Sequence, residues 1–370
     1  MNVFVANLKL HELYEPDYSE LITVHGAYLQ LHITAQCDQN CRHCYMHASP
    51  SYKNQIDNPL SSAEFIKLID EYVSFLRKYN CFGGTIAITG GDPILSPCFW
   101  DILEHVSANY IDYLSLVVLG NPFHVDIEAS FRMKTLGVVE YQISIDGLRS
   151  KHDYLRQPGS FCKSLEAFKT LHRAGIHTVA ACTISKENVS DLIPLMGFIW
   201  NCDYIDAFGF DRLIPTGNSA GRSDLMLSGD EYKDILFEIL KKERENSAKP
   251  SVVRKEKLWR LLFYQLGLTD PIDTAEQKTI SGCFCGIGTA SILADGTFYP
   301  CRRLDVPAGN YPEKSFSELF IKNEVTKRFL DVDSYEGCSS CILRAYCRGC
   351  PASKFAVTGN FFARDPLCWV

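Results

Sequence analysis

No run of about 18 apolar residues occurs anywhere in the 370-residue chain, so the sequence predicts no membrane-spanning helix. The opening stretch, MNVFVANLKLHELYEPDYSE, lacks a basic segment followed by an apolar run, which excludes a secretory signal peptide. A strongly basic segment is missing too. The 37 Lys and Arg stand against 44 Asp and Glu, a net charge of −7, so neither nucleic acid nor a membrane is an expected partner. Internal repeats and low-complexity tracts are absent. These absences together predict a cytoplasmic protein. The hydrophobic fraction, 46%, is enough for a substantial core. The length predicts a large domain with an appendage, or two domains.

What the chain has in quantity is cysteine, sixteen in all. In a long chain without a signal peptide, clustered cysteines point to metal rather than to disulfides. Eleven are clustered: Cys37, Cys41 and Cys44, then Cys283, Cys285, Cys301, Cys338, Cys341, Cys347, Cys350 and Cys368. The other five, Cys81, Cys98, Cys162, Cys182 and Cys202, are scattered singly and read as ordinary buried thiols.

Between residues 28 and 213 short apolar runs alternate with amphipathic stretches. Strands are expected at 28–34, 85–89, 113–119, 139–145, 178–184 and 205–210. Helices are expected from Ser61 or Ser62, and near 97–108, 126–136, 162–174 and 189–200. Six strand–helix units in a row predict a parallel sheet with right-handed crossovers. The fold class is α/β, a partial (β/α)6 TIM-type barrel with a C-terminal cysteine-rich iron–sulfur domain, and chemistry is expected at the C-terminal ends of the strands. The expected divisions are an N-terminal extension (1–27), the barrel (28–225), a helical linker (226–275) with an exposed centre, KKERENSAKPSVVRKEK, and a metal-stapled domain (276–370). Within the last, Asp295-Gly296 reads as the tip of a hairpin.

Cys37, Cys41 and Cys44 follow the first strand with the spacing C-x3-C-x2-C. Three thiolates on one tight loop can face a cubane iron–sulfur cluster and leave its fourth iron open. A zinc ion, with His43 or His47 as fourth ligand, is the other reading of the spacing.

This loop, with His43 in the aromatic slot before the last cysteine, resembles the signature of the radical S-adenosylmethionine (SAM) superfamily, and the resemblance runs from about residue 28 to the end. It implies that the open iron chelates the amino and carboxylate groups of SAM, and that one electron from the cluster yields a 5′-deoxyadenosyl radical. Gly90-Gly91-Asp92, closing the second strand, is similar to the turn that holds the SAM amino group, with Asp92 one methylene shorter than the commoner Glu. Ser144-Ile145-Asp146-Gly147 and the following HDYLRQPGSF resemble a motif in which Ser144 contacts SAM and Arg156 pairs with its carboxylate. The resemblance thus implies Gly90, Gly91, Asp92, Ser144, Asp146, Arg156 and His43 as SAM-binding. Leu119-Gly120-Asn121 is a weaker match to the family, and Arg212-Leu213-Ile214-Pro215-Thr216-Gly217 resembles an exit loop that is either structural or substrate-facing.

The last eight clustered cysteines resemble the SPASM domain in order and spacing, apart from two residues rather than three between Cys347 and Cys350. The resemblance implies two auxiliary 4Fe–4S clusters, one on Cys283, Cys285, Cys301 and Cys350, the other on Cys338, Cys341, Cys347 and Cys368. With the radical cluster that makes three. If Cys283 and Cys285 cannot both reach one cluster, an open iron results.

Enzymes of this layout mostly modify peptides or proteins, so the resemblance implies a peptide maturase acting by hydrogen abstraction and auxiliary-cluster oxidation. Its partners would be a peptide or protein substrate and an electron donor such as flavodoxin or ferredoxin. Two alternatives stand beside it. One is a carboxylated small molecule such as a tetrapyrrole, whose carboxylates Arg302, Arg303 and Arg212 would pair. The other is sulfatase maturation, which the family couples to an Asp where this chain has Arg302. Only 36 residues precede Cys37, too few for a winged-helix module that grips a leader peptide.

Overall fold

In a computed structural model of the protein, the described residues are 28–49, 51–246, 252–268, 282–329 and 331–370. The expected extension 1–27 and part of the expected linker and its boundary lie outside them. Nine strands form one sheet among these residues, in the order β7-β6-β5-β4-β3-β2-β1-β8-β9. They are β1 (Tyr28–His32), β2 (Gly84–Thr89), β3 (Leu114–Gly120), β4 (Val138–Ser144), β5 (His177–Ile184), β6 (Ala207–Arg212), β7 (Val252–Val253), β8 (Thr289–Ile292) and β9 (Phe298–Tyr299). The first six are the expected strands, all parallel, and with the helices between them they make the expected partial barrel.

The sheet goes beyond six at both edges. Strand β7 joins β6 in parallel, and β8 joins β1 in parallel with Tyr28 opposite Thr289. The C-terminal region therefore enters the barrel's own sheet. The Asp295-Gly296 tip is where expected: β8 and β9 pair antiparallel, and the Asp295 carboxylate accepts from the Thr297 amide at 3.1 Å.

Alternation sets the two faces of the sheet. Leu29, Leu31, Ile86, Ile88, Leu116, Val118, Tyr141, Ile143, Phe208 and Phe210 belong to the main core under the helices. The intervening residues Tyr28, Gln30 and His32 on β1, Glu140 and Gln142 on β4, and Asp211 on β6 face the barrel interior, which is consequently polar. The longest helix of the barrel, Ser62–Lys78, starts at Ser61 with a complete capping box to Glu64. Helices Phe99–Tyr110, Ile127–Thr135, Ser160–Arg173 and Leu192–Ile199 lie near the expected positions, and a short one, Arg149–Leu155, was not expected.

The expected linker is not loose where it is described. Helix Gly229–Glu245 buries Tyr232, Leu236 and Ile239, and Val252, Glu256 and Leu258 are buried just beyond it. Its charged composition hides this because Glu256 is buried as one half of an ion pair.

Candidate radical and auxiliary metal centres

The backbone entering the first cysteine loop is gripped by the Gly-Gly-Asp turn. Gly91 and Asp92 amides donate to the carbonyls of Thr34 and Gln36 at 3.0 and 2.8 Å. A side chain at Gly91 would place its Cβ 2.1 Å from the Gln36 carbonyl oxygen, so this turn needs glycine for the cysteine loop's own backbone. The loop itself is held from two further sides. The Arg42 amide donates to Leu155, and Asn218 donates through its amide to the Cys44 carbonyl and through its side chain to the Cys41 carbonyl, at 2.9, 2.9 and 2.8 Å. Gly217, with φ +59°, lies so close that a Cβ there would be 2.3 Å from the Cys44 carbonyl oxygen. The exit loop after β6 is thus a clamp on the cysteine loop.

Each of two thiols has a donor that is not a cysteine. Asn121 Nδ2 donates to Cys37 Sγ at 3.6 Å, and Arg156 Nη1 to Cys41 Sγ at 3.5 Å. Burial pushes the Cys37 thiol up to about 11, against the pull of its hydrogen bonds, and burial also raises Cys41 despite Arg156. Such thiols favour a cation that takes them as thiolates. The two histidines of the zinc reading are engaged elsewhere: His43 Nε2 lies 3.3 Å from Asp146, and His47 3.3 Å from Asn40. Among the described residues, the one set of three potential ligands with atoms all within 4.8 Å is Asp38, Asp92 and His124, not these thiols. Thiolates on a single tetrahedral zinc sit roughly 3.8 Å apart, so the loop is set for a larger inorganic core.

Asp92 is 0% exposed, and neither carboxylate oxygen has a hydrogen-bond partner among the described residues. Burial pushes its pKa up to about 7, against the opposing pull of the His124 charge. A buried carboxylate without a donor, whose own amide bonds the backbone that enters the cysteine loop, fits an incoming N–H donor such as an amino group. His124 and Asn121 bind Asp38 instead, both at 2.9 Å.

Asp146, also 0% exposed, faces the protein. Its carboxylate accepts from the Thr183 amide at 2.8 Å and from Arg156 Nε at 2.6 Å, with His43 at 3.3 Å. Burial alone would raise its pKa; the Arg156 guanidinium, then His43, overcome that and hold it well below the usual carboxylate range. Asp146 therefore orients Arg156 and His43 around the cysteine loop, and Arg156 keeps Nη2 for another partner. Ser144 sits half-buried at the end of β4, on the inner face.

The C-terminal cysteines sort into two groups. Cys283, Cys301 and Cys350 pack with buried Cys285 in a small second core, and the Cys285 thiol donates to Cys301. That bond, helped by Arg303 against burial, pulls Cys301 down to about 6. Cys338 lies among Cys368, Cys341 and Cys347, whose charges act on one another. Cys283 and Cys285 thus lie in the same group, and none of the sixteen cysteines is in a disulfide. The short Cys347–Cys350 interval is accommodated by Asp365, whose carboxylate accepts from the Cys350 amide at 2.7 Å. Of the scattered cysteines, Cys81, Cys98 and Cys182 are buried; Cys162 and Cys202 are half-buried.

Arg212 is a correction to the expected set of carboxylate-pairing arginines. It is 2% exposed, forked onto Glu256 at 2.7 and 2.6 Å and bonded to Asp365, so it ties β6 to the linker and to the last cysteine segment. Arg303 remains half-exposed, 3.2 Å from Asp211, and Arg302 is buried over the Tyr45 ring. Three features went unnoticed in the sequence: Asn121 as a thiol donor, the Glu256–Arg212–Asp365 tie, and His32. Alternation in YLQLHIT was signal enough to place His32 on the inner face.

Comparison with known proteins agrees with this architecture. The radical SAM superfamily model matches residues 31–199, and that of an iron–sulfur cluster-binding domain, SPASM, matches residues 283–342. The AdoMet-dependent heme synthase of Nitratidesulfovibrio vulgaris is 27% identical, covering 91% of this chain and 90% of its own. The Fe-coproporphyrin III synthase of Methanosarcina barkeri is 25% identical over 91% of this chain and 86% of its own. Among solved structures, Streptococcus suis SuiB bound to S-adenosylmethionine superposes with a TM-score of 0.71 at 13% identity, covering 93% of this chain and 77% of SuiB, a likeness of fold. SuiB has also been solved with its precursor peptide SuiA.

Proposed function

We propose that this chain, a radical SAM enzyme with a C-terminal SPASM domain, abstracts hydrogen from a carboxylate-bearing side chain of a tetrapyrrole. The observation that carries this reading is the similarity, over nine tenths of the chain, to relatives named as heme and Fe-coproporphyrin III synthases. A polar barrel interior supports it. Lys255 reaches in to Gln142 at 2.5 Å and Arg303 to Asp211, giving cationic groups on the side where a polyanionic ring would lie. The peptide maturase that the sequence layout implied keeps only the support of a shared fold.

With SAM on an iron–sulfur cluster at Cys37, Cys41 and Cys44, the cofactor supplies reductive cleavage of its sulfonium and hydrogen-atom abstraction. The protein's part is placement. Asp92, 0% exposed, would accept an N–H of the SAM amino group, and Arg156, held by Asp146, would give Nη2 to the carboxylate. Ser144 and His43 border the same space. Cys283, Cys285, Cys301 and Cys350, and Cys338, Cys341, Cys347 and Cys368, would hold two auxiliary clusters, three in all. The working divisions are a barrel over 28–225, a packed linker over 226–275 and the cysteine domain over 276–370, with a flavodoxin or ferredoxin as electron donor. No helix among the described residues is long and apolar enough to cross a membrane.

The test is deuterium transfer. Fe-coproporphyrin III deuterated on its propionate side chains, and deuterated peptides encoded beside the gene, are each offered with SAM and a reductant. Deuterium is expected in 5′-deoxyadenosine from the tetrapyrrole alone. Transfer from a peptide and none from the tetrapyrrole overturns the reading.

A further inference from the structure

We infer that Arg302 and His32 form a built carboxylate anchor on the inner face of the barrel, between the radical loop and the auxiliary cysteines. The inference rests on the tetrapyrrole reading and names where one of its carboxylates is held.

Arg302 is 5% exposed, and its Nε and Nη2 have no hydrogen-bond partner among the described residues. Those two N–H groups share one edge of the guanidinium, the edge that meets both oxygens of a carboxylate. His32 is 0% exposed, and neither ring nitrogen has a partner among the described residues. The Arg302 charge acts on the His32 ring: burial first, then that charge, push the His32 pKa well down and keep the ring neutral. A neutral imidazole can give one N–H to the same carboxylate. Leaving a cation unpaired and an imidazole unbonded in the interior is costly. A partner that arrives with negative charge and acceptor oxygens removes both costs.

The surroundings fix the anchor's place and direction. The guanidinium lies 5.1 Å from the Tyr45 ring centre and 5.6 Å from that of Tyr299, which set its plane from two sides. Tyr45 directly follows Cys44 of the radical loop, and Arg302 directly follows Cys301 of the first auxiliary group. A carboxylate seated here holds its own side chain between the two cysteine groups, where an abstraction followed by an oxidation needs it. The neighbouring Arg303 differs, since Asp211 already pairs it.

The test uses the full chain, reconstituted anaerobically, with Fe-coproporphyrin III titrated against the Soret absorbance. Arg302→Met is expected to weaken binding about ten- to hundredfold, Arg302→Lys to recover part of that, and His32→Phe to weaken it less than Arg302→Met, all at wild-type iron content. A second readout needs no ligand. Arg302→Met removes an unpaired buried cation, so the ligand-free variant melts above wild type; a lower melting temperature means that the arginine is structural and overturns the anchor. Wild-type binding with unchanged affinity in both Arg302→Met and His32→Phe also overturns it and leaves the tetrapyrrole reading standing. A wild-type protein that binds no tetrapyrrole overturns that reading, and the anchor is then judged with propionate alone. Thermal stabilisation of wild type and not of Arg302→Met sustains it; no stabilisation of wild type overturns it.

Discussion

The two cysteine-bearing regions are built on opposite plans. In the loop from Cys37 to Cys44 the thiols meet Asn121 and Arg156, and the backbone is fixed by the 90–92 turn, by Leu155 and by Asn218. In the C-terminal region the thiols meet backbone groups and one another, as the Leu343 amide donates to Cys341 and Cys285 meets Cys301, and burial pushes Cys347 and Cys350 up to about 12. The core around the first auxiliary group has six buried residues, one of them Cys285 itself, too few to hold a domain without help. A loop prepared by the surrounding barrel can lose its cluster and keep its shape. The small core built round its ligands depends on what they bind, while Ile292, Phe298, Phe316 and Leu343 of the same region pack into the main core.

The largest effect that can break this contrast is on catalysis. Replacing Cys37, Cys41 and Cys44 together with Ala is expected to abolish 5′-deoxyadenosine formation under anaerobic reducing conditions. Iron should fall from about twelve to about eight atoms per chain, the content of the two auxiliary cubanes, while the far-ultraviolet circular dichroism stays unchanged. Residual reductive cleavage of SAM defeats the assignment, and a collapse of the dichroism defeats the idea of a prepared loop.

Next in size is the tie between the regions. Arg212 is buried between Glu256 and Asp365, and Asp365 also accepts from the amides of Cys350 and Leu367. Arg212→Met leaves two buried carboxylates uncompensated, at a cost of about 3–5 kcal/mol. Denaturant unfolding should show that loss, accompanied by release of iron from the C-terminal cysteines while the radical cluster's iron is retained. Loss of the radical iron first, or unfolding energy within about 1 kcal/mol of wild type, makes the tie peripheral.

How far the sequence could be read follows the same division. The six barrel strands were legible because each is long enough to show its period, as YLQLHIT does. Strands β7 and β9, two residues each, carry no period, and β8 pairs with β1 across more than 250 residues of chain, which no local pattern records. The cysteine groups were legible from spacing because ligands on one loop are close in sequence. Their supports were not: Asn121 reaches Cys37 over 84 residues, and Arg212 reaches Asp365 over 153. Arg212 was misjudged as available to substrate because its partners, Glu256 in an apparent linker and Asp365 near the C-terminus, give no local sign of being buried.

The smallest effect concerns Asp92, where the prepared site shows its preparation as a pH dependence of two signs. Its folded value, about 7, is raised by burial above the ordinary 3.8. In the ligand-free protein this group therefore contributes stability that is fully present below about pH 4 and is lost as the pH rises through about 7, because ionisation must then occur in a site that resists it. SAM binding runs the other way over the upper part of that window. An amino group held on the cluster would keep N–H groups that an ionised carboxylate accepts better than a protonated one, so affinity should rise as Asp92 ionises, by at most roughly tenfold for each pH unit below its pKa. Calorimetric titration of the cluster-loaded protein between pH 6 and 8 should trace that rise. Asp92→Asn should remove the rising limb and, in the ligand-free protein, flatten the loss of melting temperature over the same range. Asp92→Glu restores the longer side chain and should keep the amino-group contact. An affinity that is flat from pH 6 to 7.5 in wild type, or that keeps its slope in Asp92→Asn, means that the orphaned carboxylate is not the amino group's partner. The thiol and backbone contacts of the cysteine loop would then be all that the barrel prepares.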